Sequence, residues 1–268
     1  LKKFLAKNSI LRSLFIPLLK TLNFPFKWKH DITGRDFYLQ TFSHKGYWYY
    51  GRKREEGELS YFYKFIKKGD SVLEVGSHIG YLTQVFESMV SDDGTVVVLE
   101  PTPQSLLYLK KNVLPKTKII EKAASNFSGD VELHTEEFGG FTNSLISEFT
   151  QSQNESQQKS RYFSSSVNSI KVQADTLDNI CKEIGFEPDF IKIDVEGAEL
   201  DVLKGAKTTL ANVNALMVEV SRNNNEVFNL LSESGFKRIN SLHTSDNHFF
   251  VKELQAQSRS SSMMVHCK

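Results

Sequence analysis

Gly69-Asp70-Ser71-Val72-Leu73-Glu74-Val75-Gly76-Ser77-His78-Ile79-Gly80-Tyr81 is the stretch on which the fold turns. The short apolar run Ser71–Val75 predicts a strand, the glycines at 76 and 80 a turn, and Tyr81–Met89 a helix. A strand that turns through glycines into a helix N-terminus suits a nucleoside cofactor, because bare backbone admits the ligand closely. Twenty residues beyond Gly80, Glu100 closes a second apolar strand, Thr95–Leu99. An acid at that place can accept both hydroxyls of an adenosine ribose.

Two cofactor classes compete for such a turn. A dinucleotide site wants G-x-G-x-x-G, whose second glycine admits the pyrophosphate. Here that place is His78, so a diphosphate would meet a side chain. The pattern E-x-G-x-x-x-G suits a cofactor without phosphates, whose cationic amino-acid end needs an acid, and Glu74 supplies one. S-adenosylmethionine is the expected cofactor.

Outward from this stretch, strands and helices alternate. A helix is predicted over 55–67 and another over Pro103–Asn112, with a strand at Lys118–Glu121. Further on come the strand Phe190–Val195, a helix near Glu199–Leu210, the strand Ala215–Val220 and the helix Asn225–Glu233. Two strands close the series, Lys237–Asn240 and Asn247–Lys252. Such alternation means βαβ units and a mostly parallel sheet. The near-continuous apolar runs VVVL, IKIDV and LMVEV suit central strands covered on both faces. Two further strands, Asp130–His134 and Ser169–Ala174, flank a Ser/Gln/Asn-rich stretch from Thr142 to Ser169. That stretch is too polar for a core, so a mobile loop over 142–169 is expected, a lid if the chain is an enzyme.

The N-terminal part differs in character. Residues 1–29 carry seven basic side chains and no acid, with Leu and Phe at spacings near three and four. They read as a basic amphipathic helix interrupted near Pro17. Its apolar stripe packs on the domain or a second subunit, or else it anchors the protein at a membrane surface. From 30 to 54 the chain is aromatic and basic (Tyr47-Trp48-Tyr49-Tyr50, then Arg52-Lys53-Arg54), and short strands or a hairpin are expected there. These aromatics can cover one end of the core, or stack on bases or sugar rings. The expected organisation is an extension over 1–54, a main domain over 55–253 and a disordered polar tail over 254–268.

Bulk properties narrow the classes. The 268 residues carry a net charge of +1, which argues against a global preference for nucleic acid. The two cysteines, Cys181 and Cys267, lie far apart without a CxxC, so neither a disulfide framework nor a zinc site is indicated. No apolar run approaches the roughly 18 residues of a bilayer span. A cytoplasmic location is expected, membrane-peripheral if the N-terminal helix is an anchor.

A third element carries the chemistry: Asp189-Phe190-Ile191-Lys192-Ile193-Asp194-Val195-Glu196-Gly197-Ala198-Glu199. An apolar strand ends in Asp194 and Glu196, beside the ligand crevice of an open α/β sheet. Glu199 reads instead as a cap of the following helix. Together with Leu99-Glu100-Pro101 and Val202-Leu203-Lys204-Gly205-Ala206, this segment and the opening stretch resemble the FkbM family of methyltransferases, over about Glu58 to Glu219. The family usually has Asp at the place of Glu74 and Ala-Asn at Ser77-His78.

The resemblance implies an α/β, Rossmann-like class I methyltransferase fold, whose mostly parallel seven-stranded sheet ends in a C-terminal antiparallel hairpin. It maps Glu74, Gly76, Ser77, Gly80 and Glu100 to the cofactor site, with Ala123 and Ala124 bordering the adenine; His78, in the same turn, is a further cofactor-site candidate. The implied reaction is O-methylation of a hydroxyl on a sugar of a glycan, glycolipid or natural product. In-line methyl transfer is largely positioning, but an alcohol must also lose its proton. Asp194 and Glu196 are the leading catalytic candidates, with His134 and Glu219 as alternatives. A divalent metal held by Asp194 and Glu219 is a further route, although no compact ligand motif demands one. Two rival readings are a nucleic-acid methyltransferase and a cofactor-binding module without turnover.

Overall fold

The computed structural model describes residues 21–136, 143–146, 167–239 and 246–252. The amphipathic pattern over the first 20 residues, most of the polar 142–169 stretch and the 254–268 tail lie outside them.

Seven strands form the main sheet: β3 (Ser71–Val75), β4 (Thr95–Leu99), β5 (Lys118–Ile120), β9 (Phe190–Ile193), β10 (Ala215–Glu219), β11 (Phe236–Ile239) and β12 (Asn247–Lys252). Their spatial order is β11-β12-β10-β9-β3-β4-β5. β3, β4, β5, β9 and β10 run parallel, and β12 enters antiparallel between β10 and β11. This is the doubly wound order with one antiparallel strand inserted near its edge, the Rossmann-like class I methyltransferase arrangement expected from the sequence. Strand direction reverses its build-out between β3 and β9, which places the ligand crevice at their carboxyl ends.

Alternation along the strands sorts side chains onto two cores. Val72, Val96, Val98, Phe190, Met217 and Phe249 face one layer. That layer holds α2 (Glu56–Phe65), α3 (Tyr81–Val90) and α4 (Pro103–Asn112). Leu73, Val75, Val97, Ile191, Ile193 and Val218 face the other. It holds α5 (Leu177–Ile184), α6 (Glu199–Lys204), α7 (Lys207–Asn212) and α8 (Asn224–Glu233). The same alternation puts Glu74 and Lys192, paired in register, on the α2–α3 side of the sheet.

Helix signals are local and legible. α2 carries Glu56 and Glu58 in its first turn and Lys64 in its last, matching the helix dipole, and buries Leu59, Phe62 and Phe65. α5 opens on Thr176, whose hydroxyl accepts the Asn179 N–H at 3.1 Å, and closes on left-handed Gly185. The predicted helix Glu199–Leu210 is two helices, α6 and α7. They break at Gly205, where a Cβ would lie 2.1 Å from the Ser125 carbonyl oxygen.

The aromatic N-terminal segment departs from expectation. Its hairpin lies earlier, β1 (Pro25–Lys29) against β2 (Asp36–Gln40), so the last five residues of the 1–29 stretch read as helix are a strand. Residues 45–54 form α1 (Lys45–Tyr50) and a 3-10 turn (Gly51–Arg54) instead of strands. The reason is tertiary: on a helix one ring, Tyr47, is buried against Phe37 and Tyr81, while Tyr50 stays exposed. Phe37 and Leu39 enter the same core as Val72 and Phe86. Asn112 on α4 locks the hairpin in place, accepting the Tyr38 N–H and donating to the Tyr38 carbonyl.

A smaller sheet stands beside the crevice. β6 (Ala123–Ala124) runs parallel to β8 (Val167–Asp175), which pairs antiparallel with β7 (Gly129–Glu136). β7 and β8 extend the two strands predicted on either side of the polar stretch.

Candidate functional site

The carboxyl ends of β3, β4 and β9 open into one cavity, closed on its flanks by β6 and the N-terminal segment. Glu74, Gly76, Ser77, His78, Glu100, Ala123, Ala124, Asp194 and Glu196 all line it. Gly80 does not, and His134 sits on β7 bonded through its backbone to Ser144, outside the lining. Glu219 joins the site through Asp194.

The glycine turn is stitched to β4 by the Gly76 and Ser77 N–H groups, which donate to the Leu99 carbonyl at 3.1 and 3.2 Å. Its glycines also serve chain packing. Gly76 has φ +81, and a Cβ there would lie 1.8 Å from the Asp194 carbonyl oxygen. Gly80 has φ +85, and its Cβ would press on Leu109 Cδ1 at 2.8 Å. Bare backbone thus lets β3 meet β9 and the turn meet α4. His78, in place of a second glycine, takes the left-handed conformation with φ 49. Its N–H donates to Glu100 Oε2 at 2.8 Å, and its Nδ1 is hydrogen-bonded to the Tyr47 hydroxyl at 2.8 Å.

Glu100 is buried, with Oε1 accepting the Thr102 N–H at 2.8 Å. Burial pushes its carboxyl up to about 7, against the pull of these backbone donors. Glu74 is more enclosed still. Thr83 donates to it at 2.5 Å and the Lys192 ammonium lies 3.7 Å away, so its charge is answered inside the protein. Burial nevertheless raises it to about 7.

At the end of β9, Lys192 is the organising cation. Its Nζ lies 2.9 Å from Asp194 Oδ2 and donates to the Gly76 carbonyl at 3.1 Å. The carboxylate oxygens of Asp194, Glu196 and Glu219 lie within 4.8 Å of one another. Burial pushes Asp194 up, but Lys192 and a hydrogen bond from Glu219 outweigh it, so Asp194 stays ionised. The Asp194 charge, together with burial, raises Glu219, and burial followed by Asp194 raises Glu196. The three carboxyls thus hold one another's charge down, with Lys192 favouring the anion on Asp194. Three carboxyls so close are of a type that holds divalent cations, but the ammonium against Asp194 already supplies the compensating charge. Glu199, buried in the first turn of α6, accepts the Gly197 N–H at 2.8 Å from the turn before the helix.

The opposite wall is apolar, formed by Leu99, Ala123, Ala124, Leu133 and Leu145. Residues 143–146 cross the cavity's edge. Asn143 donates to Thr102 Oγ1 at 3.3 Å, and Ser144 Oγ to the Glu196 carbonyl at 2.6 Å. The latter bond holds Glu196 in its left-handed conformation, φ 55.

Several lining residues escape a reading of the sequence. Lys192 had a signal, since a lysine inside a central apolar strand needs buried anions. Tyr47, Arg54 and Glu55 had none beyond composition, because an irregular segment carries them to the cavity. Among the described residues, Ser77 and Tyr81 on the lining hold buried hydroxyls without a hydrogen-bond partner. Buried polar groups are normally satisfied, so these two mark a place built for a ligand.

Among the described residues no helix is long and apolar enough to cross a membrane. A curated relative, the 2-O-methyltransferase NoeI of Sinorhizobium fredii (strain NBRC 101917 / NGR234), is 26% identical over 160 residues, 58% of this chain and 65% of that protein. The solved methyltransferase FkbM from Methylobacillus flagellatus KT superposes with a TM-score of 0.47 at 15% identity, over 72% of this chain and 50% of that one. A SAM-dependent methyltransferase from Aquifex aeolicus gives a TM-score of 0.41 at 14% identity, over 78% and 96%. The chain thus spans less than two thirds of the first two relatives' lengths. The family described as the Methyltransferase FkbM domain matches residues 74–251, from the end of β3 into β12. This chain belongs to the FkbM methyltransferase family.

Proposed function

We propose that the protein is an S-adenosylmethionine-dependent O-methyltransferase acting on a hydroxyl of a sugar, in a glycan, glycolipid or natural product. The observation that carries this reading is the single cavity that joins the Gly76 turn and Glu100 to the Asp194 carboxyl cluster. The residues fit the cofactor. Glu100 can accept ribose hydroxyls, the Ala123–Leu133 wall suits a flat apolar base, and the unpartnered Ser77 and Tyr81 hydroxyls await polar atoms. When bound, S-adenosylmethionine supplies an electrophilic methyl group on a sulfonium.

The chain's own part is to orient and to take a proton. Asp194, kept ionised by Lys192, accepts the proton of the attacking hydroxyl as the new C–O bond forms. Glu219, carrying its own proton, donates to Asp194 and steadies it. Glu196, also protonated, acts as a hydrogen-bond donor toward the acceptor rather than as the base. Oxygen as the methylated atom accords with the 2-O-methyltransferase relative, and the sugar is what the resemblance to the family implies. Tyr47 is buried at the cavity and not displayed on a surface, which favours a small acceptor over nucleic acid.

Calorimetry decides the cofactor: micromolar binding of S-adenosylmethionine or its demethylated product is expected, and no binding would reject the reading. Transfer of labelled methyl to pooled glycan and glycolipid extracts tests the acceptor. Tight cofactor binding with no transfer to any pool would favour a binding module instead.

A further inference from the structure

We propose that Lys192 is the built-in cation of the reaction centre, a positioning residue whose ammonium stands where a divalent metal ion would otherwise sit beside Asp194. The inference deepens the reading of Asp194 as the proton acceptor and rests on it.

A lysine inside a central strand is costly unless anions surround it. The Lys192 side chain is 4% exposed, and its ammonium has three hydrogens to satisfy. Asp194 Oδ2 lies 2.9 Å from it, and the Gly76 carbonyl accepts from it at 3.1 Å. Glu74, opposite Lys192 in the parallel ladder, brings an ionic partner at 3.7 Å. The β9 register and the Gly76 turn thus hold the ammonium in place, and it cannot exchange with solvent as a dissolved ion can.

Asp194, Glu196 and Glu219 have the spacing of a metal-binding set, with one oxygen of each within 4.8 Å of the others. A hard divalent ion would need those oxygens as ligands. Instead, Asp194 Oδ2 faces the ammonium and Glu219 is hydrogen-bonded to Asp194. The Lys192 charge also acts through space on Glu196 and Glu219, and on Glu74 and Glu100 in the cofactor half of the cavity. Arg54 adds to it at Asp194 through space, while donating to Glu55. One strand-borne charge therefore answers carboxyls in both halves of the cavity. A divalent ion brought to the cluster would meet that fixed positive charge and be repelled. Lys192 and a metal ion are alternatives at this centre.

Manganese titration tests this, read by loss of the free-ion signal in electron paramagnetic resonance after the protein has been treated with chelator. The unaltered protein is expected to bind no Mn²⁺ below ~1 mM. Lys192→Ala, which removes the charge and opens space at the carboxyls, should bind Mn²⁺ at least ~tenfold more tightly. Adding Glu219→Gln to that variant should abolish the gain, and Lys192→Arg, which keeps a cation, should show none. Micromolar Mn²⁺ binding by the unaltered protein overturns the proposal, as does a folded Lys192→Ala protein that binds Mn²⁺ no better. Should Lys192→Ala fail to fold, the unaltered protein still decides. EDTA should leave its transfer of labelled methyl to the pooled extracts unchanged, and a loss restored by Mn²⁺ overturns the proposal. Failure of the unaltered protein to bind S-adenosylhomocysteine would instead reject the cofactor reading, and the manganese result would stand apart from it.

Discussion

The two sides of the cavity are built by different means. On one side the ends of β3, β4 and β9 deliver Gly76, Glu100 and Asp194, each fixed by ladder register and backbone hydrogen bonds. On the other, α1 and the 3-10 turn deliver Tyr47 and Arg54, held by ring stacking and a partly exposed ion pair. The strand side cannot change without moving the sheet. The N-terminal side is instead held by side-chain packing, with Tyr47 buried in the same core as Val72. The difference is that backbone register fixes the strand-borne carboxyls, whereas side-chain packing fixes the N-terminal wall.

The sharpest way to break this comparison is at Asp194. Asp194→Asn keeps the shape of the strand end but removes the anion, and turnover should fall by ~10²–10⁴-fold. Cofactor affinity measured by calorimetry should stay within a few-fold, and near-normal turnover would remove Asp194 from the proton transfer. Gly76→Ala tests why the rigid side is rigid. Its Cβ would collide with the Asp194 carbonyl at a positive φ, so a loss of ~2 kcal/mol or more in chemical denaturation is expected.

Much of the rigid side was legible in the sequence. A periodic strand, a glycine turn and an acid after the next strand are local patterns, and each stands where its spacing put it. The reason for the glycines was not legible, because the atoms that would strike a Cβ come from Asp194 and Leu109, far along the chain. Nor was α1, since four consecutive aromatics fit a strand as well as a helix until the core selects Tyr47. The unsatisfied Tyr81 hydroxyl is likewise a fact of packing that no spacing encodes.

A smaller effect separates the two sides by pH. Glu74, Glu100 and Glu199 are each raised from 4.5 to about 7 in the folded chain. The folded state therefore holds protons that the unfolded chain releases above pH 4.5. These three glutamates make the ligand-free protein lose stability as pH rises from about 5 to about 8, while His30 and His44, held neutral by burial, act in the opposite direction up to about 6.5. Denaturation at a series of pH values isolates the glutamates: Glu100→Gln should lose less stability than the unaltered protein over this window, and an equal loss would contradict the raised Glu100 carboxyl. The mildest change is Tyr47→Phe, which removes the hydrogen bond to His78 and keeps the ring stack. A loss of a few-fold in catalytic efficiency is expected, with no change in thermal stability beyond about 1 kcal/mol.

The most direct test of the central claim is a crystal structure of the protein with S-adenosylhomocysteine. The expected result is the ribose hydroxyls on the Glu100 carboxylate and the sulfur facing Asp194. A ligand bound elsewhere, or one in the cavity with its ribose away from Glu100, would contradict it.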